Sequence, residues 1–445
     1  MLAATDTIAA IATAPGAGGI GIVRLSGPQA RGIGEAIVGA VLAQRIAQHR
    51  SFRDRTGDSI DDGIVLYFQA PHSYTGENVV ELQAHGSAPV LARLLRTCVD
   101  YGARQARPGE FTERAFLNDK LDLAQAEAVA DLIAAGSDAA ARAARRSLNG
   151  EFSRRVDDVL ERLTALRVYV EASLDFPEED IDFLAHPALR QRLDHTVAAL
   201  AQLRREAGRG VRLREGLHVV IIGAPNTGKS SLLNALAAED RAIVADIAGT
   251  TRDVLREALV LDGIALTLVD TAGLRDSTDA IEAEGVRRAH AELARADLVL
   301  AVLDAREPTV PEALLAAMEG LPHVLWLHNK ADLADQSAHT EAASAGQHLW
   351  LSARTGDGLD ALRVALREAA GAGGEGAFSA RARHLVALDE TAVALTRAQD
   401  HLRAGGGDLA AEELRLAQCA LGEITGTLAA DDLLGRIFSD FCIGK

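Results

Sequence analysis

The sequence has few of the features typical of disulfide-bonded secreted proteins, proteins with structural zinc sites or membrane-spanning proteins. It contains three cysteines in 445 residues, Cys98, Cys419 and Cys442, and no Cys-x-x-Cys pair. This number and spacing indicate neither a disulfide framework nor a structural zinc site. No run of about 18 apolar residues occurs, and no basic stretch precedes the short apolar segment at the N-terminus. We therefore expect a soluble, cytoplasmic protein.

Positive charge is also scarce. The chain has 46 Lys and Arg residues against 63 Asp and Glu residues, which gives a formal net charge of −17 at pH 7. Because neutralising phosphates requires clustered cations, we do not expect the whole surface to bind nucleic acid, although local basic patches remain possible. Hydrophobic residues make up 48% and charged residues 24% of the chain, which is ordinary for globular proteins. The length favours about three domains.

The first part of the chain combines strand and turn signals. Apolar and β-branched residues, bounded by Gly and Pro, run through residues 19–25, 62–68 and 78–83. This composition predicts a small α+β domain over residues 1–118.

Helical spacing then replaces these strand signals. From Leu148 to Val170, apolar residues recur at steps of three and four, which predicts one helix with a packed face. We expect Pro177 to end this helical stretch, and we predict a connector in the Gly- and Arg-rich residues 208–216. The helical pattern returns after a glycine-rich linker near Gly371.

The residues between these two helical blocks alternate strand-like and helix-length segments, which is typical of a parallel α/β sheet. The apolar runs are residues 217–222, 297–303, 323–327 and 347–351. Asp262 and Gly263 form a two-residue hairpin signal, which predicts one antiparallel edge strand. One helical pattern interrupted by another fold indicates an inserted domain. The expected boundaries are 119–210 plus 377–445 for a discontinuous helical domain and 211–376 for the insert.

A phosphate-binding loop is the strongest motif. Residues Gly223–Ser230 read GAPNTGKS, which fits G-x-x-x-x-G-K-[ST] between a predicted strand and a predicted helix. Its glycines let consecutive N–H groups point at phosphate oxygens, and the helix N-terminus adds partial positive charge. We expect Lys229 to bridge the β- and γ-phosphates and Ser230 to bind Mg²⁺.

Three further elements follow in an order that predicts GTP as the ligand. Asp270–Gly273 reads DTAG, Asn329–Asp332 reads NKAD, and Ser352–Arg354 reads SAR. The aspartate of NKAD suits the two donors on guanine's N1 and N2 edge, which adenine lacks. Between the phosphate-binding loop and DTAG, residues 246–253 read DIAGTTRD, and we assign its second hydroxyl, Thr251, as the other Mg²⁺ ligand.

One position departs from Ras-like enzymes. Where those enzymes have a water-positioning glutamine after Asp-x-x-Gly, this chain has Leu274, which cannot orient water. Glu282 is the nearest candidate for that role. From residue chemistry alone, Glu282 and its acidic neighbours can equally be helix-starting carboxylates.

Taken together, the motifs resemble the tRNA modification GTPase (MnmE or TrmE) family over essentially the whole chain. The shared residues are the N-terminal GGIGIVRLSG, Asn118–Leu123 (NDKLDL), the insert with DIAGTTRD and DTAGLR, and the C-terminal FCIGK. The resemblance implies a multidomain fold. Its parts are an α+β N-terminal folate-binding-like dimerisation domain, an all-α helical domain and an inserted α/β Ras-like P-loop G domain.

The resemblance also implies an activity. Proteins of this family are K⁺-activated GTPases that work with the flavoprotein MnmG, an FAD-containing partner, to build a carboxymethylaminomethyl-type group on C5 of the wobble uridine (U34) of certain tRNAs. It implies a homodimer whose paired G domains bind K⁺, and it makes Glu282 the water-orienting catalytic residue. The K⁺ ligands implied are Asn226, Ala245, Ile247 and Thr250. The GTP-binding residues expected are Asn226, Thr227, Gly228, Lys229, Ser230, Ser231, Ala245, Asp246, Ile247, Ala248, Gly249, Thr250, Asp270, Thr271, Ala272, Gly273, Asn329, Lys330, Ala331, Asp332, Ser352, Ala353 and Arg354.

The family's N-terminal domain binds 5-formyltetrahydrofolate. The matching positions here are Arg24, Glu81, Lys120 and Lys445. A carboxylate can accept hydrogen bonds from the pterin, and cations can pair with the glutamyl tail. A different class of function stays open, a GTP-gated RNA-binding or ribosome-assembly GTPase, because arginine clusters at 142–155 and 204–214 fit either hypothesis.

Overall fold

The computed structural model describes most of the chain. The described residues are 6–175, 187–239, 255–261, 263–270, 291–307, 318, 323–334, 336–343, 346–371, 376–427, 431–439 and 441–444. Two compact units form. The first comprises Met1–Ala130, Val156–Leu189 and Ala394–Lys445, and the second comprises Asp131–Arg155 and Arg190–Val393.

Helices and strands are numbered here in chain order over the described residues. The strands are β1 (Ile8–Ile11), β2 (Gly18–Ser26), β3 (Gln48–Arg53), β4 (Ser59–Phe68), β5 (Val79–Gly86), β6 (Arg104–Gln105), β7 (Leu217–Ile222), β8 (Leu255–Leu261), β9 (Ile264–Asp270), β10 (Leu298–Asp304), β11 (Val324–Asn329), β12 (His339–Ala343) and β13 (Gly346–Trp350). The helices are α1 (Ala30–Val38), α2 (Ala88–Asp100), α3 (Glu110–Leu117), α4 (Leu123–Ala134), α5 (Asp138–Leu148), α6 (Glu151–Asp175), α7 (Pro187–Glu215), α8 (Lys229–Glu239), α9 (Leu359–Ala369), α10 (Ala382–Arg403), α11 (Gly407–Thr425) and α12 (Asp431–Ser439).

The first unit contains a six-stranded sheet in the order β3-β4-β5-β2-β1-β6. Its pairs are antiparallel except for β1 with β6. Along β2, Val23 and Leu25 enter the core against α1 and α2, whereas Arg24 between them points to the other face. The three strands expected from the sequence are confirmed. β1, β3 and β6 were not predicted, because two are short and β3 (QHRSFR) is a largely polar edge strand.

The second unit contains a seven-stranded sheet in the order β12-β13-β11-β10-β7-β9-β8. Its five central strands are parallel, as predicted, and the hairpin of β8 and β9 supplies the predicted antiparallel edge. A second antiparallel edge strand, β12, was not predicted, because its sequence HTEAA carries no alternating apolar pattern. The observed architecture thus confirms the expected fold class.

The helical part differs from the sequence analysis in two places. Leu148 ends α5, and α6 starts at Glu151 after Gly150 has adopted a φ of 82°, so the predicted single helix from Leu148 was wrong at its start. The predicted connector at 208–216 was also wrong, because α7 runs to Glu215. The predicted break at Pro177 lies outside the described residues, as does most of the linker after Gly371.

Tight packing explains why α7 carries a glycine near its end. A Cβ on Gly210 would lie 2.5 Å from the carbonyl oxygen of Phe378 and 3.0 Å from the amide nitrogen of Ala380. α5 fixes the same segment, since Arg146 Nε donates to the carbonyl of Ala377 at 2.6 Å. None of the helices in the described part of the chain is long and apolar enough to cross a membrane.

Replacing either of two glycines of α7 by alanine should therefore change the stability of the protein in opposite directions. No atom lies within 4 Å of a Cβ added to Gly208, so Gly208→Ala should stabilise the protein by up to about 1 kcal/mol through helix propensity. Gly210→Ala should destabilise it by about 1–3 kcal/mol, because the new methyl group overlaps backbone atoms. Thermal unfolding of both variants checks this; a Gly210→Ala protein that melts at or above the wild-type midpoint contradicts the packing described.

Candidate nucleotide-binding site

The phosphate loop is pressed between two strand ends, and two of its glycines leave no room for a side chain. A Cβ on Gly223 would lie 2.3 Å from the carbonyl oxygen of Val302 in β10. A Cβ on Gly228, whose φ is +95°, would lie 2.2 Å from Asn329 Nδ2. Because only glycine tolerates both the close approach and the positive φ, the two positions explain the loop's glycine pattern.

The end of the loop leads into α8, whose first N–H groups have no partners within the helix. Lys229 starts this helix, and its ammonium donates to the carbonyl oxygens of Gly223 at 2.9 Å and Ala224 at 3.1 Å. Ser230 and Ser231 are exposed at the same helix start. The helix end and the ammonium together place positive charge where a phosphate would bind.

The side chain of Asn329 joins the separate motifs. Its Nδ2 donates to the carbonyl oxygen of Thr227 at 2.9 Å, and its Oδ1 accepts from the backbone N–H of Ala353 at 3.0 Å. Asn329 is only 2% exposed, so both hydrogen bonds are shielded from water. The phosphate loop, the NKAD loop and the SAR loop are therefore one connected structure.

Lys330 makes a second connection across the site. Its ammonium donates to the carbonyl oxygen of Asn226 at 2.5 Å and to Asp304 Oδ2 at 2.9 Å. Both Asn226 and Lys330 have left-handed φ values, 65° and 67°. The hydrogen bonds from Arg306, and then from Lys330, hold the pKa of the Asp304 carboxyl well below its usual range, against the opposing effect of burial. Asp304 therefore stays ionised and fixes the ammonium.

Sequence reasoning missed Asp304 and Arg306. The signal available was the position of Asp304 just after the predicted strand 297–303, at the edge of the sheet that also carries the phosphate loop. An aspartate at the carboxyl end of a strand neighbouring the P-loop strand faces the same site.

The NKAD and SAR loops, which are the two predicted base-recognition loops, are linked through their backbones. After β11, the N–H of Ala331 donates to the carbonyl oxygen of Leu351 at 3.1 Å. Ser352 is buried, and its hydroxyl accepts from the N–H of Thr355 at 3.2 Å, which shapes the SAR loop. Asp332 and Arg354 are exposed on these loops, so the Asp332 carboxylate is accessible to a base.

Asp270 ends β9, where its backbone pairs in register with Ile221 of β7. Asp270 closes an apolar strand, as predicted, and this strand neighbours the one that leads into the phosphate loop. The remaining predicted site residues lie outside the described part of the chain. They are Ala245, Asp246, Ile247, Ala248, Gly249, Thr250, Thr251, Thr271, Ala272, Gly273, Glu282 and Lys445.

Magnesium fits the residues that are described. The exposed hydroxyl of Ser230 lies in the first turn of α8, where it can serve as one hard oxygen ligand. No cluster of three or more His, Cys, Asp and Glu side chains able to hold a metal occurs among the described residues.

In the first unit, two of the predicted folate-binding residues form a pair. Arg24 and Glu81 face each other across β2 and β5, with an Arg24 Nη2 to Glu81 Oε1 distance of 2.9 Å. The Arg24 guanidinium also lies 5.8 Å from the ring centres of Tyr74 and Phe111. Lys120, in contrast, donates to the carbonyl oxygen of Pro71 at 3.2 Å on the surface.

A buried histidine lies directly behind the NKAD loop. His328 precedes Asn329, is 4% exposed, and its Nε2 is 3.0 Å from His348 Nδ1. Burial lowers the pKa of His328 to about 4, with smaller contributions from His348 and His339. His328 is therefore neutral at physiological pH.

The parallel sheet, the phosphate loop and the linked base-recognition loops define a P-loop GTPase. Family comparison extends this: residues 7–120 match the model "GTP-binding protein TrmE N-terminus", and residues 123–442 match "MnmE helical domain". The chain belongs to the tRNA modification GTPase MnmE family.

Its similarity to curated relatives spans the full length. The tRNA modification GTPase MnmE of Xanthomonas campestris pv. campestris (strain B100) is 59% identical over 450 residues, covering 100% of both chains. The protein of the same name from Stutzerimonas stutzeri (strain A1501) is 55% identical over 455 residues, also covering 100% of both. Among solved structures, the G domain of the T. maritima FeoB iron transporter is 26% identical, with a TM-score of 0.27, and the match covers 35% of this chain and 98% of that chain.

The low pKa of His328 predicts a pH-dependent stability. Because the folded-state pKa of about 4 lies below the unfolded value of about 6.5, the unfolded chain binds the extra proton between these pH values. Stability from this group is fully present above about pH 6.5 and is lost as the pH falls toward 4, by up to about 3 kcal/mol.

Thermal midpoints across this range should fall less steeply for His328→Gln than for wild type. His323→Gln, at an exposed histidine of the same unit, should keep the wild-type slope. Equal slopes in all three proteins contradict the assignment.

Proposed function

We propose that this GTP hydrolase is activated by K⁺ and, with an FAD-containing MnmG-type flavoprotein, adds a carboxymethylaminomethyl-type group to C5 of the wobble uridine, U34, of certain tRNAs. The observation that carries the GTPase assignment is the bridging of Thr227 and Ala353 by Asn329. Family membership over the whole chain supports the tRNA part.

Phosphate binding follows from the described geometry. In this proposal the N–H groups at the start of α8 would donate to phosphate oxygens, and the Lys229 ammonium can exchange its two carbonyl partners for β- and γ-phosphate oxygens. These fixed positive groups stabilise the charge that develops as the terminal phosphoryl group is transferred to water. In this proposal Glu282 orients the attacking water, since Leu274 cannot.

Two cations complete this proposal. Ser230 and Thr251 would hold Mg²⁺, which when bound offsets phosphate charge and polarises the γ-phosphoryl group. Asn226, with the carbonyls of Ala245, Ile247 and Thr250, would hold K⁺. Asn226 suits this role because its carboxamide is exposed and its left-handed backbone is held by Lys330.

The paired Arg24 and Glu81 support a 5-formyltetrahydrofolate site in the first unit, to which Lys120 and Lys445 would contribute. The Glu81 carboxylate is held in place by Arg24 and can accept further hydrogen bonds from pterin N–H donors. The Tyr74 ring beside the guanidinium is partly exposed and offers flat apolar contact.

We further propose a cytoplasmic homodimer with three domains. They are residues 1–118, residues 119–210 plus 377–445, and residues 211–376.

Several arginines that could serve a general RNA-binding function are already paired. Arg204 pairs with Asp389, and Arg214 pairs with Asp131 at 2.8 Å. The clusters fit either hypothesis, and family membership over the whole chain favours tRNA modification, in which a partner protein shares the tRNA contacts, over a general RNA-binding GTPase.

GTP turnover by the purified chain tests the enzymatic proposal. Replacing Na⁺ with K⁺ should strongly raise turnover, because a cation beside Asn226 offsets charge on the phosphates. Glu282→Ala should lower turnover by about 10²–10⁴-fold, the range for a group that positions or deprotonates water.

Glu284→Ala, two residues away, is the matched control and should keep wild-type turnover. Equal rates in the two salts would exclude K⁺ activation, and equal losses in the two glutamate variants would exclude the specific role of Glu282.

A further inference from the structure

A stack of three aromatic rings lies directly behind the two base-recognition loops. The Trp350 ring centre is 4.2 Å from that of His328 and 4.2 Å from that of His339, with interplanar angles of 7° and 9°. Strand β13, which carries Trp350, runs between β11 with His328 and β12 with His339. The indole is therefore held face to face between two imidazoles from neighbouring strands.

The stack sits where the loops leave the sheet. His328 is followed by Asn329, and Trp350 ends β13 two residues before Ser352. Backbone hydrogen bonds carry the strand pairing past this point, since the N–H of Leu351 donates to the carbonyl oxygen of His328 at 3.0 Å. The relative position of the two strand ends therefore sets the relative position of the NKAD and SAR loops.

Burial of apolar surface does not by itself explain why histidines occupy positions 328 and 348. His328 Nδ1 and His348 Nε2 are buried and have no hydrogen-bond partner among the described residues. An unpaired buried polar atom costs free energy that an aliphatic side chain of similar size would avoid. The flat ring surface is what an aliphatic side chain could not supply, since stacked aromatic rings attract each other beyond the effect of the apolar area that they bury.

A second ring pair, one repeat earlier on the same strands, offers an internal comparison. Trp326 and His348 are stacked with ring centres 5.7 Å apart and an angle of 11°. Both residues lie two positions further from the loops than His328 and Trp350. The two pairs share chemistry and contact each other through His348, but Trp326 lies further from the base-recognition loops than Trp350 does.

We propose that His328 and Trp350 are positioning residues for guanine recognition, because their stacked rings fix the strand ends from which the NKAD and SAR loops arise. The stack then sets the affinity for the guanine nucleotide without taking part in the chemical step. This inference rests on the proposed GTP binding and adds to it the residues that determine how firmly the base is held.

Nucleotide affinity and turnover of the full-length chain test the inference. With a fluorescent GDP analogue as probe, Trp350→Leu should raise the Kd by about tenfold, equivalent to about 1.4 kcal/mol. Trp350→Phe, which keeps a planar ring, should stay within about twofold of wild type. The KM for GTP should rise with the Kd in Trp350→Leu while kcat stays within about twofold, because uniform binding is lost and the transition state is not specifically affected.

Trp326→Leu is the matched control. It removes an indole from the same sheet face and should lower the thermal midpoint as Trp350→Leu does, but it should leave the Kd within about twofold of wild type. A second variant, His339→Ala, tests the role of the stack independently of whether Trp350→Leu folds. Its side chain is exposed, so it should fold normally and still raise the Kd by about threefold by removing one face of the stack.

Three results would overturn the positioning role. They are equal Kd changes in Trp326→Leu and Trp350→Leu, a fall in kcat at unchanged KM in Trp350→Leu, or a wild-type Kd in a folded His339→Ala. A wild-type chain that binds no guanine nucleotide would instead contradict the proposed function itself. The two failures are thus distinguishable.

Discussion

The nucleotide site depends on the two hydrogen bonds of the Asn329 side chain. One holds the phosphate loop through Thr227 and the other holds the SAR loop through Ala353. Since Asn329 itself belongs to the NKAD loop, its carboxamide positions all three segments at once. The tight contact with Gly228 follows from the same arrangement, because the loop must approach Asn329 too closely for any side chain at that position. The phosphate loop, the NKAD loop and the SAR loop are therefore coupled through one buried amide.

Around this amide, charge and backbone conformation support each other. The ionised Asp304 fixes the Lys330 ammonium, which in turn holds the carbonyl of Asn226 and its left-handed backbone. A cation site beside Asn226 would thus be shaped by a lysine of the base-recognition loop. The first unit also contains an ion pair that fixes a functional group. Arg24 holds the Glu81 carboxylate in position on the sheet face opposite Val23 and Leu25.

The site motifs and the parallel sheet could be predicted from the sequence because their signals are local. The P-loop glycines, the NKAD aspartate and the apolar strands each follow from a few adjacent residues. The link from Asp304 to Lys330 and the ring stack on Trp350 could not be predicted, because both depend on strand order and register. The continuous helix α7 was missed for a related reason. Glycine lowers helix propensity by about 1 kcal/mol per residue, yet at Gly210 close packing against the segment around Phe378 favours glycine over any other residue.

The central claim is that the guanine site organised by Asn329 serves tRNA modification. Mass analysis of wobble uridines tests it most directly, in cells lacking this chain and in the same cells supplied with wild-type or Asn329→Ala protein at equal levels. We expect the C5-modified nucleoside to disappear without the chain, to return with wild type and to stay absent with Asn329→Ala. Unchanged nucleosides in cells lacking the chain would contradict the account.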